Sequence, residues 1–189
     1  MLIELRLRGG VARFLGLPLL SRPFQSPETS FSAASSMSPS KILPDHCVTR
    51  SQVRVRFCDT DMMGVVHHSN YIKYFEVARI EYLRRRGLNY SSWIKLGLHL
   101  PVIAVDVEYK KPAYLDDLLI VEARLSVLSR VKVGFDYRVL REGPEGERML
   151  ASGHTLLACV GNDHAPLRMS KDAEELMLAA EIRGGEMNL

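Results

Sequence analysis

Cysteine is scarce in this 189-residue chain: Cys47, Cys58 and Cys159 are odd in number and widely spaced. That excludes a disulfide framework and a CxxC zinc or redox pair, and it points to a reducing compartment. Long apolar runs are also missing. In the N-terminal region the longest uncharged apolar stretch, Phe14 to Leu20, is interrupted by Pro18 and falls far below the roughly 20 residues a membrane-spanning helix needs. No membrane span is expected. Charge of one sign is in short supply, since 25 basic residues face 22 acidic ones for a net +3, too little for a nucleic-acid-binding surface. The chain has no GxSxG, no phosphate-binding glycine loop and no GxGxxG, so serine hydrolases, nucleotide hydrolases and dinucleotide enzymes lose their usual anchors. With 47% hydrophobic and 25% charged residues, it can still bury a core.

The basic surplus sits at the front. Residues 1–36 hold Arg6, Arg8, Arg13 and Arg22 against Glu4 and Glu28, and a Ser- and Pro-rich stretch runs from Pro18 to Ser40. Such a composition is not expected to pack. An Arg-rich, acid-poor N-terminus suits an organellar transit peptide. A disordered leader, or translated sequence upstream of a start at Met37, is preferred because the amphipathic helix is poorly formed. The expected location is cytoplasmic, or an organellar matrix if residues 1–36 are a transit peptide.

From about Thr49 the texture changes, as Val53, Val55 and Phe57 alternate with Gln52, Arg54 and Arg56 in the period of a half-buried strand. A loop from Cys58 to His68 follows, then Ser69 or Asn70 as a helix N-cap. Tyr71, Tyr74, Phe75, Ala78 and Tyr82 form one apolar face of a long helix running to about Arg86 and stopped by Gly87. A short helix is expected from Tyr90 to Leu96. Four strands come next: Leu100–Lys111, Leu118–Leu128, Lys132–Arg141 and Arg148–Val160, with turns at Ser129–Val131 and Glu142–Gly146. A last helix runs from Ser170, its N-cap, to Ala180. The domain layout read from this order is a leader at 1–45, a core domain at 46–169, and a C-terminal helix and tail at 170–189. One α+β domain follows, a helix packed on an antiparallel sheet.

The densest chemistry is Asp59-Thr60-Asp61-Met62-Met63-Gly64-Val65-Val66-His67-His68-Ser69-Asn70-Tyr71, between the first strand and the long helix. A helix start presents unpaired N–H groups and the positive end of the macrodipole, where a developing oxyanion is stabilised. A carboxylate upstream can fold back over it, with Gly64 allowing the turn. Counting removes the rivals. Asp59, Asp61 and Gly64 fit the opening of a calcium loop, but Met63 stands at the fifth position and Asn70 replaces the twelfth-position Glu. His67 and His68 are adjacent, without the i, i+4 spacing of a zinc helix and without a third ligand. No metal and no organic cofactor are expected.

Asp61-x-x-Gly64-Val65-Val66-His67-His68-x-Asn70-Tyr71, followed by Tyr74-Phe75-Glu76-x-Ala78-Arg79 and Glu81, closely resembles the hot-dog-fold acyl-CoA thioesterases of the 4-hydroxybenzoyl-CoA thioesterase group, in particular its Tol-Pal-associated branch. The resemblance runs from about Val48 to Met169. It implies a five-stranded antiparallel sheet wrapped round a long helix, a homodimer or homotetramer with interfacial active sites, and an acyl-CoA substrate. By position, Asp61 matches the family's catalytic carboxylate, acting as nucleophile or general base. His68 matches the residue whose backbone N–H polarises the thioester carbonyl. Gly64, Val65, Val66, His67, Tyr71, Met62 and Met63 are the expected substrate-binding neighbours, with Arg130 and Lys132 as candidates for the coenzyme A phosphates.

The residues also carry plainer readings. Asp59 reads as a turn or capping residue, Ser69 and Asn70 as caps, and Glu76 as an ion-pair partner of Arg79 or of a group across the interface. The tyrosine stripe is chiefly core, and Met62 and Met63 suit core filling as well as an acyl pocket. Two alternatives stand beside the hydrolase reading: an acyl carrier protein in place of coenzyme A, gripped by Arg84–Arg86, and a non-catalytic acyl-CoA-binding module.

Overall fold

The computed structural model describes residues 43–95 and 97–182; the expected leader and the final residues lie outside them. The elements are β1 (Val48–Arg54), a 3-10 turn (Phe57–Asp59), α1 (Asn70–Arg84), α2 (Tyr90–Lys95), β2 (Val102–Tyr109), β3 (Leu118–Leu128), β4 (Lys132–Gly143), β5 (Gly146–Ala158) and α3 (Lys171–Leu178). The strands form one antiparallel sheet in the order β1-β3-β4-β5-β2.

Helix α1 lies on one face of this sheet. Tyr71, Tyr74, Phe75, Ala78 and Tyr82 are all buried, as their spacing requires. The helix ends in a Schellman motif, where the Leu88 N–H reaches the Leu83 carbonyl and the Gly87 N–H reaches Arg84, with Gly87 at φ +76°. Alternate residues of the central strands, such as Val121 on β3, Phe135 and Val139 on β4 and Leu157 on β5, point to the helix. The opposite face carries cross-strand ion pairs such as Arg138–Glu122. Helix α3 adds Ala173 and Met177 to the same core, and Ser170 caps it by accepting the Ala173 N–H at 3.2 Å.

The helix approaches the sheet closely at one point. The Phe75 ring stacks on Tyr137 at 4.3 Å and 9°, passing directly over Gly153, where an added Cβ would fall 2.6 Å from Phe75 Cε2 and 2.7 Å from the Asp106 carbonyl oxygen. Gly153→Ala therefore drives β5 away from both α1 and β2 and is expected to cost about 2 kcal/mol. A urea midpoint equal to the parent's would show that the contact yields freely.

Three sequence expectations are corrected. Phe57 is not a strand residue: β1 ends at Arg54, the chain turns through the 3-10 segment, and Phe57 is 81% exposed. The strand expected at Leu100–Lys111 is shorter, because the Lys110 and Lys111 N–H groups both turn to the Leu150 carbonyl. The Glu142–Gly146 loop shrinks to Pro144 and Glu145, since Gly143 pairs with Gly146.

Candidate active site

The loop before α1 is a small hairpin. The Asp61 N–H donates to the Val65 carbonyl and the His67 N–H to the Asp59 carbonyl, each at 2.9 Å, while Thr60 and Val66 face each other as a bridge. Its tip, Met62 to Gly64, closes with the Gly64 N–H on the Asp61 carbonyl and Gly64 at φ +73°. Glycine suits that left-handed position, which is why the turn forms here. Asp61 completes the tip through its side chain, one oxygen accepting the Met63 N–H at 2.8 Å. Asp61 is half-buried, and its second carboxylate oxygen accepts no hydrogen bond among the described residues.

Asp59 anchors the hairpin from beneath. Its carboxylate is buried and accepts from the Arg56 backbone N–H, from Nε and from a terminal guanidinium nitrogen at 2.9–3.2 Å. These bonds hold it below the usual carboxylate range, against the opposing effect of burial. Its carbonyl also receives the Asn70 side-chain amide at 2.7 Å. Asn70 thus ties the helix start to the hairpin. Ser69, at the N-cap position, makes no side-chain capping bond and pairs instead with His67 Nδ1 at 2.9 Å. The expected caps act laterally because the hairpin, rather than solvent, adjoins the helix start.

His68 follows the hairpin and is exposed, its ring 4.1 Å from that of His67. Its backbone N–H meets no acceptor among the described residues, whereas its carbonyl accepts the Tyr109 hydroxyl at 3.0 Å. A free N–H just ahead of the N-cap of a 15-residue helix, in the same hairpin as a carboxylate fixed at one oxygen, is an arrangement suited to acyl transfer. Nearby phenols do not serve as bases: burial raises the pKa of both Tyr71 and Tyr74, with the charge of Asp59 adding to it at Tyr74.

The structure brings Asp61, Met62, Met63, Gly64, Val65, His67 and His68 together on this junction. Met62 and Met63 are fully exposed at the tip, beside exposed Tyr114 and Leu115 of the β2–β3 loop, which joins the hairpin through the Val65–Tyr114 bridge. Val66 and Tyr71 turn into the core. Arg130 and Lys132 lie at the other end of the sheet: Tyr109 pairs with Ala151, but Lys132 pairs with Ala158, seven residues and about 23 Å along β5 at ~3.3 Å per residue. Glu76 is exposed and does not pair with Arg79, which turns inward toward the Tyr137 hydroxyl at 3.4 Å. Nor is Arg84–Arg86 a free basic rim, since Arg84 and Arg85 pair with Glu81 and Arg86 is buried. Among the described residues no cluster of three His, Cys, Asp or Glu side chains is placed to hold a metal ion.

Sequence reasoning passed over Tyr109. Its place in an alternating strand gave no signal, because its contact lies 41 residues away.

The family model described as the thioesterase-like superfamily matches residues 55–179. The chain belongs to that superfamily. The acyl-CoA thioester hydrolase YbgC of Escherichia coli (strain O6:H1) is 30% identical over 134 residues, 71% of this chain and 95% of that protein. The solved DHNA-CoA thioesterase of Staphylococcus aureus shares 30% identity at a TM-score of 0.64, covering 68% of this chain and 87% of its own. A 4-hydroxybenzoyl CoA thioesterase, solved with 4-hydroxybenzoyl CoA, superposes with a TM-score of 0.64 over 69% of this chain and 99% of its own; at 21% identity it shows the fold. This member of the thioesterase-like superfamily is a thioester hydrolase with the hot-dog fold, as the motif implied. Among the described residues no helix is long and apolar enough to cross a membrane.

Proposed function

We propose that the chain hydrolyses an acyl-CoA to the free acid and coenzyme A at the junction of the hairpin and α1. The observation that carries this reading is that one short hairpin holds both the anchored Asp61 carboxylate, at its tip, and the uncommitted His68 N–H, where it runs into α1. A thioester carbonyl has weak resonance stabilisation, so an oriented attacker and an oxyanion donor supply most of what its hydrolysis needs. The carbonyl oxygen accepts from the His68 N–H. Asp61 then takes a proton from water as hydroxide adds to the carbonyl carbon, the C–S bond breaks, and the thiolate recovers the proton. In the alternative course Asp61 itself adds, releasing the thiolate and leaving a mixed anhydride for water to open. Gly64, Val65, His67, Met62 and Met63 face the acyl thioester, with Val66 and Tyr71 as their support.

A second copy completes the site. Strand β2 is an edge with Val102, Ile103 and Val105 all more than 40% exposed, and a bare apolar edge is a template for pairing. Antiparallel β2–β2 pairing sets the Tyr109 end of one subunit beside the Val102 end of the other. It thereby brings Arg130 and Lys132 of the partner subunit toward the first subunit's His68, where they meet the coenzyme A phosphates. The acyl carrier protein reading loses its rim, because the Arg84–Arg86 run is already engaged. The free cysteines fit a reducing aqueous compartment, the cytoplasm unless residues 1–36 direct the chain to an organelle.

A thiol-release assay over short, long and aromatic acyl-CoAs tests this. Release is expected from at least one class. Binding of acyl-CoA without release from any of them overturns the hydrolase reading in favour of a binding module.

A further inference from the structure

We infer that Tyr109 is a positioning residue for the oxyanion donor, an inference that rests on the reading of His68 above. Tyr109 is the last residue of β2, and its backbone is pinned by pairing with Ala151 on β5. Immediately beyond it, the Lys110 and Lys111 N–H groups both bond the Leu150 carbonyl, at 2.8 and 3.0 Å, so the strand end cannot swing. From this fixed point the side chain crosses to the helix start. Its hydroxyl donates to the His68 carbonyl at 3.0 Å, and its ring meets Tyr71 edge-on at 5.2 Å and 72°, and His68 at 6.5 Å and 81°.

The His68 carbonyl has little else to hold it. The Tyr71 N–H reaches it at only 3.4 Å, near the limit for a hydrogen bond. On its other side the hairpin fixes the His67 N–H against Asp59. His68 is therefore clamped from both sides: the Asn70 N–H, donating to the His67 carbonyl at 2.9 Å, sets the peptide that carries the His68 N–H, and Tyr109 sets the peptide after it. The direction of the His68 N–H follows from those two planes. An oxyanion donor works by pointing at the reacting oxygen before charge develops, so loosening one plane lowers turnover without weakening ground-state binding. Tyr109 touches no reacting atom in this scheme; it acts through His68.

Tyr109→Phe keeps the ring contacts and removes only the hydroxyl. Expected are a fall in kcat of about tenfold with KM within about twofold, since the lost interaction serves the transition state, and an unchanged melting temperature. A second readout tests polarisation directly. In Asp61→Asn, the fastest acyl-CoA of the panel is bound without turnover and its thioester carbonyl stretch is recorded by difference infrared spectroscopy. Adding Tyr109→Phe is expected to move that stretch to higher frequency, toward the value in water. A Tyr109→Phe enzyme with parental kcat, or one in which kcat, KM and melting temperature all shift together while the carbonyl stretch stays put, overturns the inference. If Asp61→Asn still turns over, it is the underlying reading that has failed, a result separable from failure at Tyr109.

Discussion

Asp61→Asn is expected to lower thioester turnover by about a thousandfold or more, within the range that loss of a general base or nucleophile removes. The substitution is chosen for what it preserves. Asparagine keeps the side-chain oxygen that accepts the Met63 N–H and tolerates the same turn, so the hairpin tip retains its geometry. Gly64 keeps its left-handed φ, and the His68 N–H keeps its direction. What is lost is the carboxylate oxygen that attacks or takes the proton. Melting temperature and acyl-CoA affinity therefore stay near parental values while kcat collapses. Asp61→Ala removes the same chemistry and the turn bond as well, adding about 1 kcal/mol of instability. Comparing the two separates chemistry from scaffold. An Asp61→Asn enzyme within tenfold of parental kcat would remove Asp61 from the reaction and leave the hairpin as a structural element only.

Periodicity explains which parts of this molecule could be read from sequence. The Tyr71-Tyr74-Phe75-Ala78-Tyr82 face was legible because a helix buries residues three and four apart, and α1 buries those side chains. The strand order was not legible, since β2 leaves its sequence neighbours and pairs with β5 alone at the sheet edge. At the site, Asp61, Gly64 and His68 stood out because they fall within one short segment. Their supports did not, because each acts across the fold. Tyr109 looks like any alternating strand residue until its hydroxyl is found on His68. Asp59 looks like a turn residue until Arg56 and Asn70 are seen to close round it. Arg130 and Lys132 illustrate the opposite limit: a basic turn is visible in sequence, but its distance from the helix start depends on which end of the sheet it joins.

Arg86 presents the same problem in its sharpest form, and its replacement is expected to cost the most stability. In sequence it closes a run of three arginines at a helix C-terminus, where cations are favoured by the dipole and ordinarily remain in water. In the structure Arg84 is exposed and Arg85 half-buried, but Arg86 is fully buried. Its guanidinium lies 3.6 Å from the centre of the Tyr82 ring. It donates to Thr49 Oγ1 at 2.8 Å, to the carbonyls of His46 and Ala179 at 3.0 Å, and to that of Tyr82 at 3.1 Å. Glu181 is the nearest carboxylate, at 3.8 Å. One side chain thus joins the entry to β1, the end of α1 and the segment after α3. The Tyr82 hydroxyl on the Met177 carbonyl and the His46 ring on the Leu178 carbonyl, each at 2.7 Å, depend on the same alignment. Arg86→Met keeps much of the apolar stem but strands several buried carbonyls, each costly without a donor. The expected loss is about 3–5 kcal/mol, a large share of the 5–15 kcal/mol typical of a folded domain. Arg86→Lys restores the charge without the planar fork and so recovers little of it. Urea denaturation measures the loss, and limited proteolysis should show cleavage after Met169 long before the sheet is cut, as α3 comes free first. A parental midpoint in Arg86→Met would mean that α3 is held by Ala173 and Met177 alone, with the buried guanidinium contributing only enough to offset its own desolvation.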